Sequence, residues 1–186
     1  MSYGEIRRIN LLSGPGTGKS TAAAYLFYRL KELGKRVEYI QEYVKEWAYE
    51  GRKITSFDQL YIFAKQLRRE DLVLGKGVDI VVTDSPLYLA LSYMIKYGFP
   101  CPESLESVVR IFDEKYPPLN ILLVRSDGSY EQEGRYETPE EAVVMDEMIR
   151  AHLVSRGLEF HEIAHHDLKG LYAVVTSLIP MPVEED

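Results

Sequence analysis

Short apolar runs alternate along this chain with longer segments whose apolar positions recur every three or four residues. Residues 6–12, 37–41, 78–83, 120–124 and 158–163 have the length and composition of strands. The run 78–83, VDIVVT, is almost continuously apolar, as a strand covered on both faces should be. Helical periodicity fills the gaps. In 21–33 the residues Ala23, Leu26, Phe27, Leu30 and Leu33 share one face, and Gly34 supplies the stop. Further helices are expected at 55–74, closed by Gly75 and Gly77; at 86–97; at 103–116, ended by Pro117-Pro118; and at 168–178. Thr138-Pro139-Glu140-Glu141 is a capping box that opens a helix reaching about residue 155. The polar stretch 126–137, with Gly128 and Gly134, reads as a mobile loop.

Strands alternating with helices imply right-handed crossovers and a parallel five-stranded sheet in a three-layer α/β/α fold. Ligands of such sheets bind beyond the carboxyl ends of the strands. Each candidate residue should therefore follow a strand.

With 186 residues the chain suits one domain with a substantial core. It is 46% hydrophobic and 27% charged, and no apolar run approaches the ~20 residues of a membrane span. A single cysteine, Cys101, excludes an intramolecular disulfide, and residues 1–8 lack a signal-peptide pattern, so a cytoplasmic protein is expected. The net charge of −7 argues against a protein devoted to non-specific nucleic-acid binding, which needs a basic surface.

The chemistry concentrates after the first strand. Ser13-Gly14-Pro15-Gly16-Thr17-Gly18-Lys19-Ser20, followed by Thr21, fits the phosphate-binding loop G-x-x-x-x-G-K-[ST], with serine in the first place. Its glycines let backbone N–H groups converge on phosphate oxygens, and the next helix adds a positive N-terminus. Lys19 can bridge the β- and γ-phosphates, and Ser20 can ligate magnesium. The cofactors expected are ATP and Mg2+. A chance glycine-rich turn is the bland alternative, but strand, loop and amphipathic helix occur here in the order the mechanism requires.

Four segments together resemble the NadR-like group of P-loop nucleoside and nucleotide kinases, which includes ribosylnicotinamide kinase domains and many phage-encoded ATP-binding proteins. They are 13–21; Gln41-Glu42-Tyr43-Val44-Lys45-Glu46-Trp47; Thr83-Asp84-Ser85-Pro86-Leu87; and Arg125 with Gly134-Arg135. The resemblance implies a single P-loop kinase domain over 1–186, with a lid at about 126–138. It implies ATP-dependent transfer of the γ-phosphate to a nucleoside, nucleotide or nucleoside-like acceptor, in host cytoplasm if the chain is phage-encoded. A second acceptor is open, 5-hydroxymethyluracil within DNA, as is a hydrolytic regulatory module. Oligomeric state is not indicated.

Asp84 ends a buried strand, where a carboxylate can hold magnesium near Ser20; capping the next helix is its bland role. By the resemblance, Glu42 is the base that takes the proton of the attacking hydroxyl, with Glu46 one turn on as runner-up; acids at a helix N-terminus are otherwise unremarkable. Gln59, Phe63 and Gln66 share a helix face suited to a planar base, or to an ordinary half-buried face. Tyr43, Trp47 and Tyr88 are stacking candidates in a chain with 14 tyrosines. Arg125 and the lid's Arg135 are expected on the transferring phosphoryl group, against a bland reading as surface charge. His161-Glu162-Ile163-Ala164-His165 matches a zinc-protease signature that needs a helix; on a strand the histidines lie ~13 Å apart, too far to share a metal. A nucleotide contact near these histidines and His166 is unassigned. Cys101, between two prolines, lacks an activating base.

Overall fold

A computed structural model describes residues 6–55, 57–126, 130 and 136–179. The elements run β1 (Arg8–Leu12), α1 (Lys19–Glu32), β2 (Val37–Ile40), α2 (Lys45–Tyr49), α3 (Asp58–Leu74), β3 (Ile80–Thr83), α4 (Leu87–Lys96), α5 (Pro102–Lys115), β4 (Pro118–Val124), α6 (Pro139–Ser155), β5 (His161–Ala164) and α7 (Leu168–Leu178). The five strands form one parallel sheet in the order β2-β3-β1-β4-β5.

Period-two alternation divides the core. On β1, Ile9 and Leu11 face one side and pack with Ala23, Leu26 and Leu30 of α1 and Leu171 and Val175 of α7. Leu12, Val81 and Leu122 join the opposite cluster, built by Phe63 of α3, Leu91 and Met94 of α4, Phe112 of α5 and Ile149 of α6. Helices therefore cover both faces, which is why β1 and β3 are buried throughout. Among the described residues no helix is long and apolar enough to cross a membrane.

The second face also holds a buried polar chain. Arg8 is fully buried, donates twice to Asp113 Oδ1 at 2.8 Å and lies 3.4 Å from Glu70 Oε2. Glu70 accepts from Gln66, whose amide also donates to Thr83 Oγ1 at 3.1 Å.

Two strands start later than the sequence expectation for one reason: a strand cannot use N–H groups that close the preceding helix. Leu158 N–H returns to Leu153 O across Gly157, which takes φ +62, so β5 starts at His161 rather than at 158. Val78 N–H returns to Val73 O, so β3 starts at Ile80. Pro118 does not merely end α5; it opens β4, where a first residue without an N–H is tolerated. The short helix α2, carrying Glu46 and Trp47, was not resolved by periodicity.

Candidate active site

The loop after β1 meets the turn after β3 because β1 and β3 are neighbours in the sheet. Gly18 precedes α1 with φ +92, a conformation that costs a residue with a Cβ. No side chain caps α1 and no acid of its own lies in its first turn, so its positive end is open to the cavity. Gly14 is required by proximity, since a Cβ there would sit 2.6 Å from Ala142 O and 2.7 Å from Asp146 Oδ1. Lys19 Nζ donates to the carbonyls of Ser13 at 2.9 Å and Gly14 at 2.7 Å.

Asp84 is the convergence point. One carboxylate oxygen accepts from Ser20 Oγ and from Tyr39 OH, both at 2.7 Å; the other accepts the Glu42 N–H at 3.0 Å. The phosphate loop, the end of β2 and the Glu42 turn are thereby tied to one carboxylate. Burial, then the charge of Asp84, push the Tyr39 hydroxyl well above the usual tyrosine range, so it stays a neutral donor. Ser20 and Asp84 are hard oxygen donors side by side, a set that fits magnesium.

These groups open into one cavity of about 400 Å³. The loop residues 15–21, Asp84 and Ser85 line it, together with Glu42, Gln59, Ile62, Tyr93, Tyr97 and Tyr136. Lys96 pairs with Glu137 at 2.6 Å beside the tyrosines. Burial, then Glu137, then Glu42 push the Tyr93 hydroxyl far up. His165 reaches the cavity from the turn after β5, its N–H bonded to Val124 O. His161 lies on the exposed strand β5, so the zinc-protease pattern is not on a helix.

Several expected residues lie elsewhere. Phe63 is packed in the core. Gln66 is committed to Glu70 and Thr83, and Tyr88 is buried edge-on against His152. Tyr43 bonds Tyr61 and packs on Trp47 outside the cavity. Glu46 is exposed on α2 and does not line the cavity, whereas Glu42 does. Arg135, like most of the expected lid, lies outside the described residues.

Arg125 is turned to the loop rather than to the open cavity. It donates to Pro15 O and Thr17 Oγ1, both at 2.7 Å, and to Asp146 Oδ2 at 2.8 Å. Asp146 in turn accepts the Gly14 N–H at 2.6 Å. Arg125 and Asp146 together brace the phosphate loop from β4 and α6. Neither Asp146 nor Tyr39 stood out in the sequence. Tyr39 could have been found by the strand-end rule, one residue before the end of β2.

A family model described as AAA domain matches residues 8–169. The chain belongs to this AAA domain family. Among solved structures, the AAA domain matches NadR protein in complex with NR with a TM-score of 0.70 and 16% identity, over 97% of this chain and 53% of that one. It thus spans about half of that NadR chain. A crystal structure of APE1195 matches with a TM-score of 0.51 and 20% identity, over 95% of this chain and 98% of that one. At such identities the likeness concerns the fold, which is that of a P-loop NTPase. No curated protein sequence matches. P-loop NTPases generally bind ATP with magnesium, and the loop geometry of this AAA domain suits that role.

Proposed function

We propose that this AAA domain is an ATP-dependent kinase that transfers the γ-phosphate to a nucleoside-like hydroxyl. The observation that carries this reading is the Asp84 carboxylate, which joins the phosphate loop through Ser20 to the Glu42 turn within one cavity. A hydrolytic switch needs room for ATP and a water. Besides the phosphate loop and Asp84, this cavity is lined by Tyr93, Tyr97 and Gln59, side chains suited to a second, organic substrate. That the NadR structure holds NR supports the same reading.

The loop N–H groups and Lys19 hold the triphosphate. Ser20 and Asp84 would hold magnesium, which would neutralise phosphate charge when bound. The acceptor oxygen attacks γ-phosphorus in line, the bond from γ-phosphorus to the bridging oxygen breaks, and ADP leaves with that electron pair. Glu42 takes the acceptor's proton and later passes it to solvent. Arg125 keeps the loop in its phosphate-binding shape, and the lid's Arg135 steadies the transferring group.

Lys19→Ala should keep its circular dichroism spectrum while transfer, followed as ADP release, falls by about 100- to 1000-fold. Unchanged turnover in that variant would remove the phosphate loop from the reaction.

A further inference from the structure

The cavity wall carries one amide that the reaction described above does not use. Gln59, in the first turn of α3, is only 3% exposed and lines the cavity. Its carboxamide makes no hydrogen bond to any described residue. The residue is buried, yet its amide atoms stay open to the cavity, where the edge of a ligand can meet them. The N–H groups of the other amides described above are committed inside the core, those of Gln66 to Glu70 and Thr83 and that of Asn10 to Asn120. The same cavity is lined by the apolar and aromatic side chains of Ile54, Ile62, Ala90, Tyr93 and Tyr97.

Its distance from the chemistry is set by the helix. Gln66, seven residues on, is level with the carboxyl end of β3 because it bonds Thr83, the residue before Asp84. Gln59 therefore stands about 10 Å further along the axis, at 1.5 Å per residue. That matches one sugar ring plus one six-membered ring laid between a reacting hydroxyl at Asp84 and an edge at Gln59. Among the described residues lining the cavity, Lys19 and Lys45 are the lysines and no arginine appears, while Glu42, Asp84 and Glu137 are acidic. In this reading Lys19 serves the triphosphate, which leaves Lys45 among the described lining lysines for a second phosphate, beside the acids Glu42 and Asp84.

We propose that Gln59 is the specificity-determining residue of the acceptor subsite. Its carboxamide pairs with an amide-like donor–acceptor edge on a planar ring, and the acceptor is a nucleoside without a phosphate of its own. This rests on the kinase reading above and narrows it. A site that presents a buried hydrogen-bonding group rejects an analogue lacking the partner far more strongly than an apolar pocket rejects a missing methylene.

The test compares kcat/KM for uridine, cytidine and nicotinamide riboside, for their 5′-monophosphates, and for a phenyl ribofuranoside that has the same shape without the polar edge. The wild-type protein should prefer an unphosphorylated, amide-edged member over the phenyl analogue by at least about 100-fold. Gln59→Leu should lower kcat/KM for that member by about 10- to 100-fold, chiefly through KM, and bring the preference over the phenyl analogue towards one. Gln59→Glu, which keeps the size but loses the N–H donors, should re-rank the amide-edged acceptors among themselves. Retained preference in both variants, with melting temperatures near wild type, would overturn the assignment, as would a monophosphate being the best acceptor. If ATP binds but no panel member receives phosphate, the kinase reading falls first and this one with it.

Discussion

The Ser20 hydroxyl donates to the Asp84 carboxylate at 2.7 Å, joining the start of α1 to the end of β3. Two residues 64 positions apart in the chain thus form the oxygen pair that a magnesium–nucleotide complex requires. Asp84→Asn keeps the shape and can still accept from Ser20, but loses the charge. Nucleotide affinity measured with and without magnesium should show the metal-dependent part reduced by about 10-fold or more, with metal-free affinity little changed. Equal loss in both conditions would mean that Asp84 serves the loop's fold and not the metal.

Tyr39→Phe deletes one hydroxyl and leaves the ring. The Asp84 oxygen then keeps Ser20 as its donor and loses the second one. A cost of about 1 kcal/mol is expected, seen as a melting temperature about 2–4 °C lower. An unchanged melting temperature would show that water replaces the hydroxyl without loss.

Arg125 bonds Pro15, Thr17 and Asp146, so its removal should loosen the phosphate loop. Arg125→Ala is expected to raise the Kd for ATP by about 10-fold or more, since three charge-assisted bonds go together. Asp146→Ala should act through the same brace, so the double variant should be far from additive. An ATP affinity close to wild type, with only kcat reduced, would instead place Arg125 on the transferring phosphoryl group.

Acid stability should bear the mark of the buried charge cluster. Burial pushes the Asp113 carboxyl up to about 6 from 3.8, with Arg8 opposing and Glu70 adding to the rise. Glu70 is raised too, by burial above all. In the folded chain Asp113 therefore holds its proton where the unfolded chain has released it. Its stabilising contribution is full below pH 3.8 and is lost as pH rises through about 6. Asp113→Asn, which stays neutral, should flatten the urea-unfolding midpoint between pH 4 and pH 6. The same slope in both proteins would exclude Asp113 as its source.

The sheet was legible because strands buried on both faces must be apolar, and the loop was legible because phosphate binding restricts its residues. Side-chain destinations were less so. Gln59 and Gln66 share a helix face, yet the sheet ends between them: one reaches the cavity and the other Thr83. Periodicity gives the face of a helix, not the height at which a neighbouring strand stops. Arg125 stood where the strand-end rule places a functional residue, but its partner Asp146 comes from α6, and only the packing of α6 on the loop decides which way the guanidinium turns. Tyr93 on α4 and Tyr97 at its C-terminal cap line the cavity one turn apart, hidden in the sequence among 14 tyrosines.

The most direct measurement follows the label from γ-labelled ATP in the presence of magnesium and the nucleoside panel. The account predicts label in a nucleoside monophosphate, formed in step with ADP and absent with Lys19→Ala. Label released only as inorganic phosphate, at a rate no acceptor changes, would contradict it and leave a hydrolytic module in its place.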